Sequence, residues 1–118
     1  MSKSTLRIAV IALTLVTAAV HLYLGVTSIS GPMQTLGILW LLNGLGYLVL
    51  LGGITGQTPV LKDNKALAHY GLMGFAAVTI VAWVVMSGVL RGDAPDLLAI
   101  ITKVDEVLLI VVAYMHLK

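Results

Sequence analysis

Four stretches of this chain carry apolar side chains with few breaks, and each is long enough to cross a hydrocarbon core of about 30 Å, which takes ~20 helical residues. They run over about Ile8 to Ile29, Gln34 to Ile54, Ala66 to Leu90 and Leu97 to Leu117. The fourth contains Lys103, Asp105 and Glu106, so it is either a span with charges inside it or a helix that leaves the bilayer. We read it as a span, because the unbroken remainder, Val107 to Leu117, is too short to cross alone. Turn chemistry falls between the stretches, at Ser30-Gly31-Pro32, at Gly56-Gln57-Thr58-Pro59 ahead of Lys62, Asp63, Asn64 and Lys65, and at Arg91-Gly92-Asp93-Ala94-Pro95-Asp96. Connections this short join neighbours. The pattern predicts an all-α integral membrane protein, a single four-transmembrane-helix up-down-up-down bundle over residues 1–118.

Composition narrows the class. The 118 residues include no cysteine, 59% are hydrophobic and only 10% are charged. A soluble domain of this size covers much of its surface with polar groups, and this chain has too few. A disulfide scaffold, a cysteine-ligated zinc or iron–sulfur site, a thiol nucleophile and a disordered tail protein are all excluded. So is a nucleic-acid binder, despite a pI of about 9.1. Charge sets the orientation: an inside N-terminus puts Lys3, Arg7, Lys62, Lys65 and Lys118 on the cytoplasmic side and leaves Arg91 outside, beside Asp93 and Asp96. Both termini are therefore expected in the cytoplasm. Lys3 and Arg7 ahead of an apolar run also resemble a signal peptide, but the expectation is that this segment is retained as the first span.

Polar side chains are costly in a membrane helix, so their depth and direction carry the functional signal. At 1.5 Å per residue from the inner ends, His21 and Thr79 lie at roughly 20 Å, and Asn43, Asp105 and Glu106 at roughly 16 to 18 Å. These five form one expected buried polar layer. Thr14, Thr17, His21, Gly25 and Ser28 share one face of the first span, and Thr102, Asp105 or Glu106, and Leu109 share one face of the fourth. Both faces are expected to point inward, on neighbouring helices. The expected chemistry is a hydrogen bond or ion pair between His21 and Asp105 or Glu106, with Asn43 or Thr79 satisfying what is left over. Such a layer reads either as a structural clasp that fixes helix register or as a proton- or ion-binding site. Lys103 either snorkels outward or pairs with Glu106 at i+3, and no function is attached to it.

A second polar level lies toward the cytoplasmic ends, with Tyr47, His69 and His116. Two histidines at similar depth on neighbouring antiparallel helices are what a bis-histidine haem b requires, although interfacial histidines are also common without any ligand. The glycines and alanines Gly37, Gly44, Gly46, Gly52 and Gly53, and Ala68, Gly71, Gly74, Ala77 and Ala82, predict close packing of spans 2 and 3. Trp40 and Trp83 fall in the outer half, as an aromatic belt would, with Trp83 also able to point inward. Met33, Met73, Met86 and Met115 are scattered, as lipid-facing or filling residues are.

The segments His21-Leu22-Tyr23-Leu24-Gly25, Leu41-Leu42-Asn43-Gly44-Leu45-Gly46-Tyr47 and Val107-Leu108-Leu109-Ile110 resemble, in order and spacing, a group of uncharacterised small four-span membrane proteins known chiefly from archaea. The resemblance implies that the four-span unit stands as a complete protein and that the His21 face is shared, and it carries no activity. Small multidrug transporters also have four spans, but they depend on a glutamate in the first, where this chain has His21 and no carboxylate.

The sequence holds no nucleophile with a base and an orienting group, no metal-ligand spacing and no phosphate loop, so no enzyme activity is expected. The leading expectation is an accessory or structural subunit of a larger respiratory or photosynthetic membrane assembly, with no cofactor of its own. Its partners would be lipids and larger membrane subunits, or further copies of itself. The alternatives are a haem b electron-transfer protein using His69 and His116, and a small proton-coupled transporter or channel using His21 and Glu106.

Overall fold

A computed structural model describes residues 2–32, 34–57, 64–86, 92 and 97–118. The expected end of span 3, Ser87 to Leu90, lies outside the described residues, as do Met33, Thr58, Pro59, Lys62, Asp63, Arg91, Asp93, Ala94, Pro95 and Asp96. Among the described residues the fold is made of α1 (Lys3–Ser28), α2 (Gln34–Thr55), α3 (Lys65–Met86) and α4 (Leu97–Leu117). Among the described residues there is no strand. The helices α1, α2 and α3 are long and apolar enough to cross a membrane. The fourth differs from them in carrying Lys103, Asp105 and Glu106 near its centre.

Local chemistry sets the helix ends. The Ser2 hydroxyl accepts from the Thr5 amide at 3.1 Å and the Asn64 Oδ1 from the Leu67 amide at 3.0 Å, so α1 and α3 each begin on a capping side chain. The Ser2 cap starts α1 five residues before the apolar stretch. Gly56 closes α2 at φ +84°, and the Gln57 amide donates back to the Gly52 carbonyl at 2.6 Å, a glycine stop in the left-handed region.

The helices form a ring in which α1 packs on α2 and α4, and α3 packs on α2 and α4. Gly25 of α1 lies against Gly37 and Leu41 of α2, while Ala18 and Leu22 lie against Gly44. Numbers rising on one helix meet numbers falling on the next, so the two run antiparallel. His69 at the start of α3 and Lys3 at the start of α1 both meet His116 at the end of α4, which sets the same sense for α3 with α4 and α1 with α4. The α1–α2 seam is the tight one. A Cβ added at Gly37 would lie 2.9 Å from the Ile29 backbone nitrogen, and one at Gly44 would lie 2.8 Å from Leu22 Cγ and 3.0 Å from the Ala18 carbonyl oxygen. The core between the helices holds Val10, Ala18, Tyr47, Ile54, Leu72 and Leu109, with small residues Ala68, Ala76 and Ala113 around them.

Spans 2 and 3 do not pack closely along their whole length as their small residues suggest. The α2 glycines Gly37 and Gly44 are used against α1, and Gly46 receives the Phe75 ring. Phe75 therefore stands between α2 and α3 as a spacer. Gly74, Ala77 and Ala82 of α3 are exposed, and nothing comes within 4 Å of a Cβ built at Gly74.

Candidate functional site

Glu106 is the centre of the polar interior, with none of its surface exposed. Lys103, one turn earlier on α4, donates to Oε1 at 2.5 Å. On the other oxygen, Oε2, the Tyr47 hydroxyl of α2 donates at 2.5 Å and the Thr17 hydroxyl of α1 at 3.2 Å. Helices α2 and α4 lie diagonally across the ring, so Tyr47 reaches through the bundle to a helix that its own backbone does not touch. Tyr47 is wholly buried, and its ring stands edge-on to Phe75 at 4.7 Å between centroids, which holds the hydroxyl in place. A buried carboxylate is tolerated only when paired and hydrogen-bonded, and Glu106 is both.

His21 is buried one turn along α1 from Thr17. Its Nδ1 donates to the Thr17 carbonyl at 2.7 Å and lies 3.3 Å from the Thr17 hydroxyl. The expected direct bond between His21 and a carboxylate is not present among the described residues: Thr17 stands between them, because the ring turns back onto its own helix. Asp105 is also buried, yet its Oδ2 has no hydrogen-bond partner among the described residues. Asn43 and Thr79 pair with each other, the Asn43 amide nitrogen donating to the Thr79 hydroxyl at 2.8 Å, and this pair joins α2 to α3. This pair lies beside the Glu106 centre, because Tyr47 interacts with Thr79 as well as with Glu106.

Tyr47 was expected nearer the cytoplasmic end, by the height of its Cα. One turn separates it from Asn43, and the length of a tyrosine side chain spans that turn; its place four residues after Asn43, on the same helix face, is the signal that could have found it. Lys103 belongs to the same centre and lies 5.9 Å above the Trp83 ring, tying α4 to α3.

The two remaining histidines meet near the other end of the bundle. His69 Nε2 and His116 Nδ1 hydrogen-bond at 2.7 Å, with ring centroids 4.9 Å apart. Lys3 of α1 donates to the His116 carbonyl there. A bis-histidine haem needs the porphyrin plane between the two rings. Two nitrogens in hydrogen-bond contact leave no room for it, so this pair does not fit the group. Among the described residues no three histidine, aspartate or glutamate side chains gather in a metal-binding arrangement.

A cleft of about 610 Å³ opens between α2 and α3 where Phe75 keeps them apart. Trp40 and Trp83 stand on opposite walls, and His21, Asn43, Thr79 and Lys103 line its inner part. Both tryptophans are half-buried, and both line a smaller cavity of about 160 Å³ that adjoins His21 and Lys103.

The sequence model of a family of unknown function, DUF7475, matches residues 1–117. The chain belongs to this family. No curated protein and no solved structure matches it. The DUF7475 match runs through all four helices, so the Glu106 centre, the histidine pair and the cleft all lie inside it.

Proposed function

We propose that the chain is a small non-enzymatic integral membrane protein, a four-span bundle with both termini cytoplasmic, that serves as an accessory or structural subunit beside larger membrane proteins or further copies of itself. The observation that carries this reading is the full occupation of Glu106. Its two oxygens are taken by Lys103, Tyr47 and Thr17, so the group with the most chemistry to offer is used to tie α1, α2 and α4 together.

The direction of the charges on α4 supports a fourth span. Lys103, Asp105 and Glu106 are turned into the bundle, with 13%, 6% and none of their surface exposed, while the outer face carries Ile101, Val104, Leu108 and Val111. A helix with an apolar outer face and paired charges inside is compatible with lipid. The long axis of 41 Å suits a bilayer of ~40–45 Å including headgroups. Large apolar side chains are exposed on every helix, as a surface meeting lipid and membrane partners requires.

Asp105 favours a second reading, proton-coupled transport, because a buried carboxylate oxygen without a partner among the described residues is a place for a proton or cation to come and go. Reconstitution into liposomes with an enclosed pH dye separates the two. The structural reading expects proton flux no faster than in protein-free vesicles, and a Glu106→Gln variant that is less stable. Flux abolished by Glu106→Gln or Asp105→Asn at unchanged stability makes transport the function. A Soret band in the purified protein that vanishes in His69→Ala would restore the haem reading against the geometry of the pair.

A further inference from the structure

Two basic side chains line the inner end of the α2–α3 cleft, and each has hydrogen-bonding capacity to spare. The first is His21. The Thr17 hydroxyl gives its proton to Glu106, so His21 Nδ1, set between that oxygen and the Thr17 carbonyl, carries the ring proton. The lone pair is then on Nε2, which makes no hydrogen bond among the described residues and is not sealed in the interior. His21 lines both the cleft and the smaller cavity beside it. Lys103 is the second and lines the same two spaces. Its ammonium has three donors, of which Glu106 Oε1 takes one, and the Trp83 ring lies 5.9 Å away. His21 and Lys103 stand within electrostatic reach of each other.

An open acceptor beside an open donor defines the group that fits them. Among the described residues no aspartate or glutamate lines the cleft, and the oxygens of Glu106 are taken by Lys103, Tyr47 and Thr17, so the site is complementary to an acid. A neutral carboxyl group answers both bases at once: its O–H donates to an imidazole nitrogen and its carbonyl oxygen accepts from an ammonium. It also brings no net charge beside the balanced pair of Lys103 and Glu106. The rest of the cleft suits a hydrocarbon chain. Its volume falls within the ~300–1,000 Å³ of small-molecule sites, and the indoles of Trp40 and Trp83 make its walls. Leu39, Val78 and Met86 are exposed at its rim, so a chain leaving the cleft runs over apolar surface into lipid.

We propose that this cleft binds a long-chain carboxylic acid in its protonated form, with the O–H donating to His21 Nε2, the carbonyl oxygen accepting from Lys103 and the chain passing between Trp40 and Trp83. The inference rests on the membrane-spanning reading, since the ligand arrives from the bilayer. It also fixes a selectivity. An ester of the same acid keeps the carbonyl but has no proton to give, so it strips water from Nε2 without replacing it, and the site prefers the acid.

Trp40 and Trp83 are the only tryptophans in the chain, so its intrinsic fluorescence reports on this cleft. Full-length protein in phosphatidylcholine nanodiscs is titrated with dibromostearic acid, whose bromines quench indole fluorescence on contact, and oleic acid and methyl oleate then compete for the site. The expected result is saturable quenching, reversed by oleic acid at a concentration roughly tenfold lower than methyl oleate requires. His21→Leu removes the acceptor and should bring the two competitors to within about twofold of each other. Should His21→Leu misfold, Ala82→Leu fills the cleft from an exposed position and should abolish saturable quenching at unchanged helix content. Quenching that does not saturate, methyl oleate competing as well as oleic acid, or quenching unaffected by Ala82→Leu would overturn the proposal. Vesicle flotation in parallel tests the membrane reading separately: a chain that floats but does not bind the acid refutes only the site.

Discussion

Replacing Tyr47 with phenylalanine removes one oxygen atom from the middle of the bundle and leaves the packing otherwise intact. The ring is wholly buried against Phe75, and the phenyl ring of Tyr47→Phe keeps that contact. What disappears is the hydroxyl that donates to Glu106 Oε2 at 2.5 Å across the diagonal of the ring. In soluble proteins a hydrogen bond to a charged group contributes ~1.5–3 kcal/mol. Between membrane helices, measured pairs average ~0.6 and reach ~1.7 kcal/mol, because the unfolded helices find other partners in the bilayer. Glu106 is fully buried and keeps only Thr17 on that oxygen after the change, so the loss should fall in the upper part of the membrane range, about 1–1.7 kcal/mol. Reversible unfolding in mixed micelles, followed by circular dichroism, reads this directly. A double-mutant cycle with Glu106→Gln should give a coupling of at least ~0.5 kcal/mol. A Tyr47→Phe protein as stable as the parent, with no coupling to Glu106, would refute the idea that this contact holds the diagonal together.

Other outcomes follow from the same geometry. Glu106→Ala leaves the part-buried Lys103 without its counter-charge and should cost about 3 kcal/mol, whereas the double change Glu106→Leu with Lys103→Met should recover most of that loss in the same unfolding assay. Asp105→Leu removes a buried carboxylate whose Oδ2 has no hydrogen-bond partner among the described residues and should raise stability by about 1 kcal/mol; a loss would mean that Asp105 is engaged. Gly37→Ala drives a Cβ against the Ile29 backbone and should destabilise by about 1–3 kcal/mol, while Gly74→Ala, which meets nothing, should leave the unfolding midpoint unchanged or slightly higher.

Much of the helix pattern could be read from the sequence. The limits of α4 coincide with the fourth apolar stretch, and α2 differs from the second by one residue. The inward faces of the first and fourth stretches were legible too, since Thr14, Thr17, His21 and Gly25, and Thr102, Asp105, Glu106 and Leu109, are buried, while Ser28 at the end of the first face is half-buried. Depth along a helix can be counted in residues, but it does not say where a side chain turns. His21 bends back to the Thr17 carbonyl, so the histidine and Glu106 share Thr17 without bonding to each other. Tyr47 escaped the depth count because its hydroxyl acts a full turn from its Cα. The α2–α3 cleft was hidden for a different reason. Counting glycines gives no clue to which neighbour they serve, and Gly37 and Gly44 of α2 are used on α1 while Gly46 takes the Phe75 ring that holds α3 away.

One labelling experiment tests whether α4 crosses the bilayer, with its charges turned inward, as the fourth span of the bundle. The chain has no cysteine, so single substitutions Ser30→Cys, Gly92→Cys, Gln57→Cys and Lys118→Cys can be probed in intact cells with a membrane-impermeant maleimide. Gly92 precedes α4 and Lys118 follows it, so these two positions report on opposite ends of that helix. Labelling is expected from outside at Ser30→Cys and Gly92→Cys, and at Gln57→Cys and Lys118→Cys only after the cells are opened. Labelling of Gly92→Cys and Lys118→Cys from the same side would mean that α4 does not cross, and the membrane clasp built on Glu106 would fall with it.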